Sequence, residues 1–190
     1  MGKRIVPIIV FGFDYNNDRT AAGPGTWWRC FTAAELAKDL RRTTGAECLF
    51  IVSPGRAPGV SVSKQPCTMA DMMAGVLQAS MPPDAPVDIV VGAPVWGTRA
   101  ELVEAVRLIE QKRRAGFEID EAYLVSNTLH VTCRIRFLAW RLRRNLGLWW
   151  EWRPHSCWWM LPAWGLRARA RELGKFAVEL VRAWGWRPKL

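Results

Sequence analysis

Four short β-rich apolar runs, each followed by residues with helical spacing, constrain this chain more than any other feature. The runs are residues 5–13, 48–52, 87–91 and 122–126. A continuous apolar run bounded by turn residues suits a strand buried on both faces. Alternation of such runs with amphipathic helices predicts an α/β fold, with a mostly parallel sheet and right-handed crossovers. A further strand over residues 148–152 would bring the sheet to about five strands.

Punctuation between the runs supports this order. Thr32 followed by Glu35 has the form of a capping box, and Ala33, Leu36, Ala37 and Leu40 keep helical spacing up to Gly45. A Met- and Ala-rich helix is expected over residues 68–80, its methionines serving as core filler. Thr98 and Glu101 repeat the capping-box pattern ahead of Leu102, Val106 and Ile109. Another helix is expected from His130 to about Leu146. After a loop RPHSCWWMLPAWG, residues 166–184 place Leu166, Ala170, Leu173, Phe176, Ala177, Leu180, Val181 and Trp184 on one stripe. The expected organisation is a Rossmann-like α/β domain over residues 1–152. Residues 153–190 follow as a loop and amphipathic helix packing on the same domain.

Composition narrows the function classes. Half of the 190 residues are hydrophobic, which excludes extensive disorder. No run of about 18 apolar residues would span a membrane. The apolar N-terminal run contains Pro7 and leads into an acidic loop rather than a cleavage site, so a cytoplasmic protein is expected. Five cysteines (30, 48, 67, 133 and 157) without CxxC spacing, with two histidines, fit neither a disulfide framework nor a zinc site. No transition-metal site is expected, and no motif specifies a cofactor.

Residues 132–190 hold eleven arginines, two lysines and three glutamates, so the whole formal excess of +10 lies there. Eight of the 12 tryptophans fall between 149 and 186. Three readings of this basic, Trp-rich third stay open: core packing with solvated arginines, contact with a lipid headgroup surface, or stacking on single-stranded nucleic acid.

In an open α/β sheet, ligands bind beyond the carboxyl ends of the strands. The loops concerned are residues 14–28, 53–67, 92–98 and 126–130. The last lies in YLVSNTLHVTCRIRF, where His130 and Arg134 are spaced i,i+4 at an expected helix start. Free N–H groups there favour an anion, Arg134 can grip it with paired donors, and His130 can donate to it or act as acid/base. Ser126, Asn127 and Thr128 add short polar groups; a plain helix cap with a solvated arginine is the competing reading. Asp14, followed by Asn16, Asn17 and Asp18, could hold Mg²⁺ or simply make turns. Arg29 either faces the pocket or is solvated. Ser53 and Gly55, in SPGR, could turn backbone N–H groups toward a phosphate or form an ordinary Pro-Gly turn. Thr98 lines the same edge unless it only caps its helix.

The segment YLVSNTLHVTCRIRFLAWRL resembles the fourth strand and following Ser/Thr, His and Arg of the YdcF/SanA/ElyC-like family of bacterial α/β proteins. FIVSPGR is similar to that family's strand followed by Ser-Gly-Gly, and Gly12 remains from its glycine-rich end of strand one. The resemblance follows the order of elements over residues 4–150. It implies a Rossmann-like fold and a polar pocket around His130 and Arg134. The pocket would take a small anionic ligand such as a nucleotide, an S-adenosylmethionine-like cofactor or a polyprenyl phosphate. Phosphoester or pyrophosphate chemistry would fit, with His130 as acid/base and Asp14 assisting. The alternative is a non-catalytic binding or scaffold protein docking on a membrane surface or nucleic acid through its basic C-terminal third.

Overall fold

A computed structural model of the chain describes residues 2–12, 22–52, 69–85, 87–92, 97–128, 130–157 and 166–183, the last with side chains at 170 and 173–182. Five strands form one sheet: β1 (Ile5–Val10), β2 (Glu47–Val52), β3 (Asp88–Val91), β4 (Glu121–Asn127) and β5 (Glu151–Cys157), in the order β3-β2-β1-β4-β5. Each neighbouring pair is parallel. β1 is central and wholly buried, as its unbroken IVPIIV predicts, whereas β3 at one edge is exposed at both ends and half-buried between them.

Helices cover both faces: α1 (Pro24–Thr44), α2 (Met69–Ser80), α3 (Thr98–Arg114) and α4 (Arg136–Leu146). The pleat of β1 divides the core. Val6, Ile8 and Val10 pack with α1 and α2, while Ile5, Ile9 and Phe11 pack with α3 and α4. Met69, Met72, Met73 and Met81 are all buried, as expected of core filler. Trp150 is fully enclosed against Trp152 at 4.3 Å between ring centroids, whereas Trp149 is half exposed. Thus one part of the tryptophan-rich segment is core and another is surface. The last helix, α5 (Leu166–Ala183), turns Phe176 and Glu179 toward the body and leaves Leu173, Leu180 and Val181 exposed.

Local details depart from expectation in four places. α1 begins eight residues before Thr32, because Pro24 stands in its first turn, where a fixed φ helps and a missing N–H costs nothing. Thr32 is therefore mid-helix, donating to the Trp28 carbonyl, and Glu35 pairs with Lys38 instead of closing a capping box. The Thr98/Glu101 box is likewise not formed: Gly97, which has no side chain to cap with, is the N-cap, and Thr98 lies inside the helix. The helix after β4 opens as a π-helical turn, His130–Ile135, before α4. There the Thr132 hydroxyl takes the Thr128 carbonyl at 2.6 Å, a side-chain bond that competes with regular helix pairing. Finally, β5 runs through 151–157, not 148–152, so RPHSC is strand rather than loop. Pro154 is tolerated because β5 is an edge strand paired only with β4.

Candidate functional site

The strand order creates a switch point between β1 and β4. From β1 the chain moves outward through β2 and β3, and on its return it enters the sheet on the other side of β1. The helix after β1 packs on one face and the helix after β4 on the opposite face. Crossovers that leave in opposite directions open a crevice at the carboxyl ends of the two strands.

Gly12 lies on that edge just past β1. A Cβ there would come within 2.9 Å of the buried Met69 Cγ, so glycine is the residue that fits. Arg29, in the second turn of α1, is fully buried, and its Nη1 donates to the Phe11 and Gly12 carbonyls at 2.7 and 3.0 Å. It binds the end of β1 and is not a solvated side chain. The early start of α1 at Pro24 is what carries Arg29 to this depth.

From β4 come Ser126, Asn127 and Thr128. The Asn127 Oδ1 accepts the His130 backbone N–H at 2.9 Å and so caps the π-helical turn. Ser126 is fully buried, with its hydroxyl 2.9 Å from His130 Nδ1. The Thr98 hydroxyl lies 3.4 Å from His130 Nε2, and Phe11 meets the ring edge-on at 6.1 Å. The imidazole is thereby held between two hydroxyls and an aromatic ring. Burial, then the positive charges of Arg29, Arg134 and Lys175, push its pKa well below the ordinary 6.5. At neutral pH His130 is an uncharged imidazole with one N–H and one lone pair, shared between Ser126 and Thr98.

Arg134 Nη2 donates to Glu179 Oε1 at 3.1 Å, and Arg99 Nε donates to Glu179 Oε2 at 2.6 Å. Glu179 is nearly buried, so two guanidiniums from different elements converge on one enclosed carboxylate. At this site the buried Asn127 Nδ2, Thr128 Oγ1 and Arg134 Nε find no hydrogen-bond partner among the described residues. Such groups are rare in a folded interior and concentrate where a ligand or water completes the set.

The fold therefore brings together Gly12, Arg29, Thr98, Ser126, Asn127, Thr128, His130 and Arg134. Asp14, Ser53 and Gly55 lie outside the described residues. Arg99 and Glu179 join the site without having been expected there. Their signals were modest: Arg99 follows Thr98 at a helix start, and Glu179 is one of three acidic residues in the basic stretch 132–190. His155 is elsewhere, on β5, edge-on to Tyr123 and lining a groove of about 270 Å³ with Phe31, Thr32 and Glu35. Among the described residues no three His, Cys, Asp or Glu side chains gather as metal ligands.

The hydroxyl–imidazole pair has the spacing of a nucleophile and its base. Ser126, however, has no exposed surface, and a depressed pKa makes His130 a weak base. The pair is therefore poorly placed for covalent attack. No family model, curated protein or solved structure matches the chain.

Proposed function

We propose that the switch-point crevice binds the anionic group of a small ligand, in the manner of a YdcF-like pocket protein. The observation that carries this reading is the convergence of Arg99 and Arg134 on one enclosed carboxylate beside His130. Two guanidiniums so arranged present paired donors to a phosphate or carboxylate as readily as to Glu179. Asn127 Nδ2, Thr128 Oγ1 and Arg134 Nε are polar atoms that a bound ligand can satisfy. A nucleotide, an S-adenosylmethionine-like cofactor and a polyprenyl phosphate all carry a group of this charge. In a reaction at a phosphoester, the arginines would stabilise the developing charge and His130 would donate a hydrogen bond to it.

Native mass spectrometry of the purified chain, followed by thermal-shift titration with each of the three ligand classes, tests the proposal. Binding is expected in the parent protein and lost in Arg134→Ala and His130→Ala, both retaining helical circular dichroism. A parent that binds none of the three, or variants that bind as the parent does, would rule the pocket out.

A further inference from the structure

We propose that the outer face of α5, with the adjoining surface of α4, docks on an anionic lipid bilayer. This assignment does not depend on the pocket. Four large apolar side chains of α5 are exposed: Leu173 at 51%, Val178 at 47%, Leu180 at 39% and Val181 at 78%. Successive residues of a helix are set about 100° apart, so these four and the exposed Ala177 fill one broad arc. Glu179 points the other way, and the half-buried Phe176 lies at the edge of the arc. The arc is therefore a surface that the rest of the described protein leaves in water.

The apolar surface extends onto α4. Phe176 meets Phe137 edge-on at 6.1 Å, and Phe137 stacks on Trp140 at 6.2 Å, with Trp140 half exposed. Cations border it on both helices. Lys175 and Arg182 are exposed on α5, as are Arg136 and Arg144 on α4, where the Arg144 guanidinium lies 5.7 Å from the Trp140 ring. None of the exposed described residues of α5 is acidic.

An apolar stripe with a basic border and an amphipathic tryptophan is the chemistry of a helix lying in the headgroup plane. A second copy of the chain would bring this basic border against itself, since a two-fold interface opposes identical patches. Nucleic acid would meet the arginines but gain nothing from exposed leucine and valine, which offer no face for base stacking. An anionic bilayer satisfies both the stripe and the charges. Among the described residues no helix is long and apolar enough to cross a membrane, so the contact is in-plane.

Co-sedimentation of the full chain with phosphatidylcholine vesicles, with and without phosphatidylglycerol, tests this, alongside sedimentation velocity. The parent is expected to bind the anionic vesicles, to bind the zwitterionic ones at least about tenfold more weakly, and to release as salt rises. Val181→Glu and Leu173→Glu are each expected to weaken vesicle binding by about tenfold or more. Both positions are solvent-facing, and Val181→Ser gives a milder check in which folding is not at issue. Absence of binding to anionic vesicles at low salt overturns the proposal. So does undiminished binding of both glutamate variants. A parent that self-associates, becomes monomeric on Val181→Glu and ignores vesicles also overturns it, assigning the face to a second copy.

Discussion

Glu179→Gln isolates the Arg99–Glu179–Arg134 cluster, because it keeps the side chain's size and removes its charge. Breaking a fully buried ion pair costs about 3–5 kcal/mol, and breaking an exposed one costs about 0.2–1. This cluster lies between those limits: the Glu179 side chain is 9% exposed, Arg134 18% and Arg99 27%. Each arginine contact then contributes about 1 kcal/mol, and the pair about 2 kcal/mol. In a chain of this size 1 kcal/mol moves the melting temperature by about 2–4 °C, so Glu179→Gln should melt about 4–8 °C lower at low salt. High salt should narrow the gap, because the arginines retain some contact with solvent. Inorganic pyrophosphate should then stabilise the variant more than the parent, since the carboxylate no longer occupies both guanidiniums. Ligand at a hundredfold excess over its dissociation constant adds about 2.7 kcal/mol. Differential scanning fluorimetry reads both effects. An unchanged melting temperature at low salt would show that the cluster holds nothing together, and equal stabilisation by pyrophosphate would refute the convergence argument.

Three further outcomes follow from the same geometry. The folded-state pKa values of both His130 and His155 are lowered, so below pH about 6.5 the unfolded chain binds protons that the folded chain refuses. Their contribution to stability is full above pH about 6.5 and is lost as pH falls. His130→Gln should flatten the slope of unfolding free energy against pH, measured by urea titration, by up to about 1.4 kcal/mol per pH unit in that acidic range. Trp150→Ala should cost about 3–5 kcal/mol, because the ring is fully enclosed and its Nε1–H donates to Glu110 at 3.2 Å. Trp149→Ala should cost about 1 kcal/mol or less, since that ring is half exposed and its contact is the Arg113 guanidinium at 4.8 Å; chemical denaturation separates the two. In a Cys67→Ser background, a disulfide reagent at mildly alkaline pH should label Cys133 first. Burial pushes the Cys30 thiol up to about 12 and the Cys48 thiol to about 11, leaving little thiolate at either.

The sheet was legible because its evidence is local. An unbroken apolar run such as IVPIIV is a buried strand wherever it pairs, and helical spacing between the runs leaves only crossover connections. Helix starts were less legible, since Thr32 with Glu35 and Thr98 with Glu101 satisfy a capping-box pattern that glycine N-caps displaced in both helices. β5 was misplaced for a related reason. Pro154 reads as a strand breaker until one knows that the strand is at an edge, and edge position belongs to the sheet rather than to the segment.

The candidate site divides along the same line. Ser126, Asn127 and His130 lie within four positions of one another, so a strand end, a short polar group and an imidazole could be read together from one stretch. The carboxylate that joins Arg134 to Arg99 could not. Arg134 meets a carboxylate 45 positions away, and Arg99 meets the same carboxylate across 80. Taken alone, Arg99 reads as solvated, and a glutamate in a strongly basic segment reads as surface. Burial reverses this, because a charge withdrawn from water must find an opposite charge. In a basic segment the scarce carboxylates are thus the informative residues, and Glu179, one of three among residues 132–190, identifies two arginines that are drawn out of solvent.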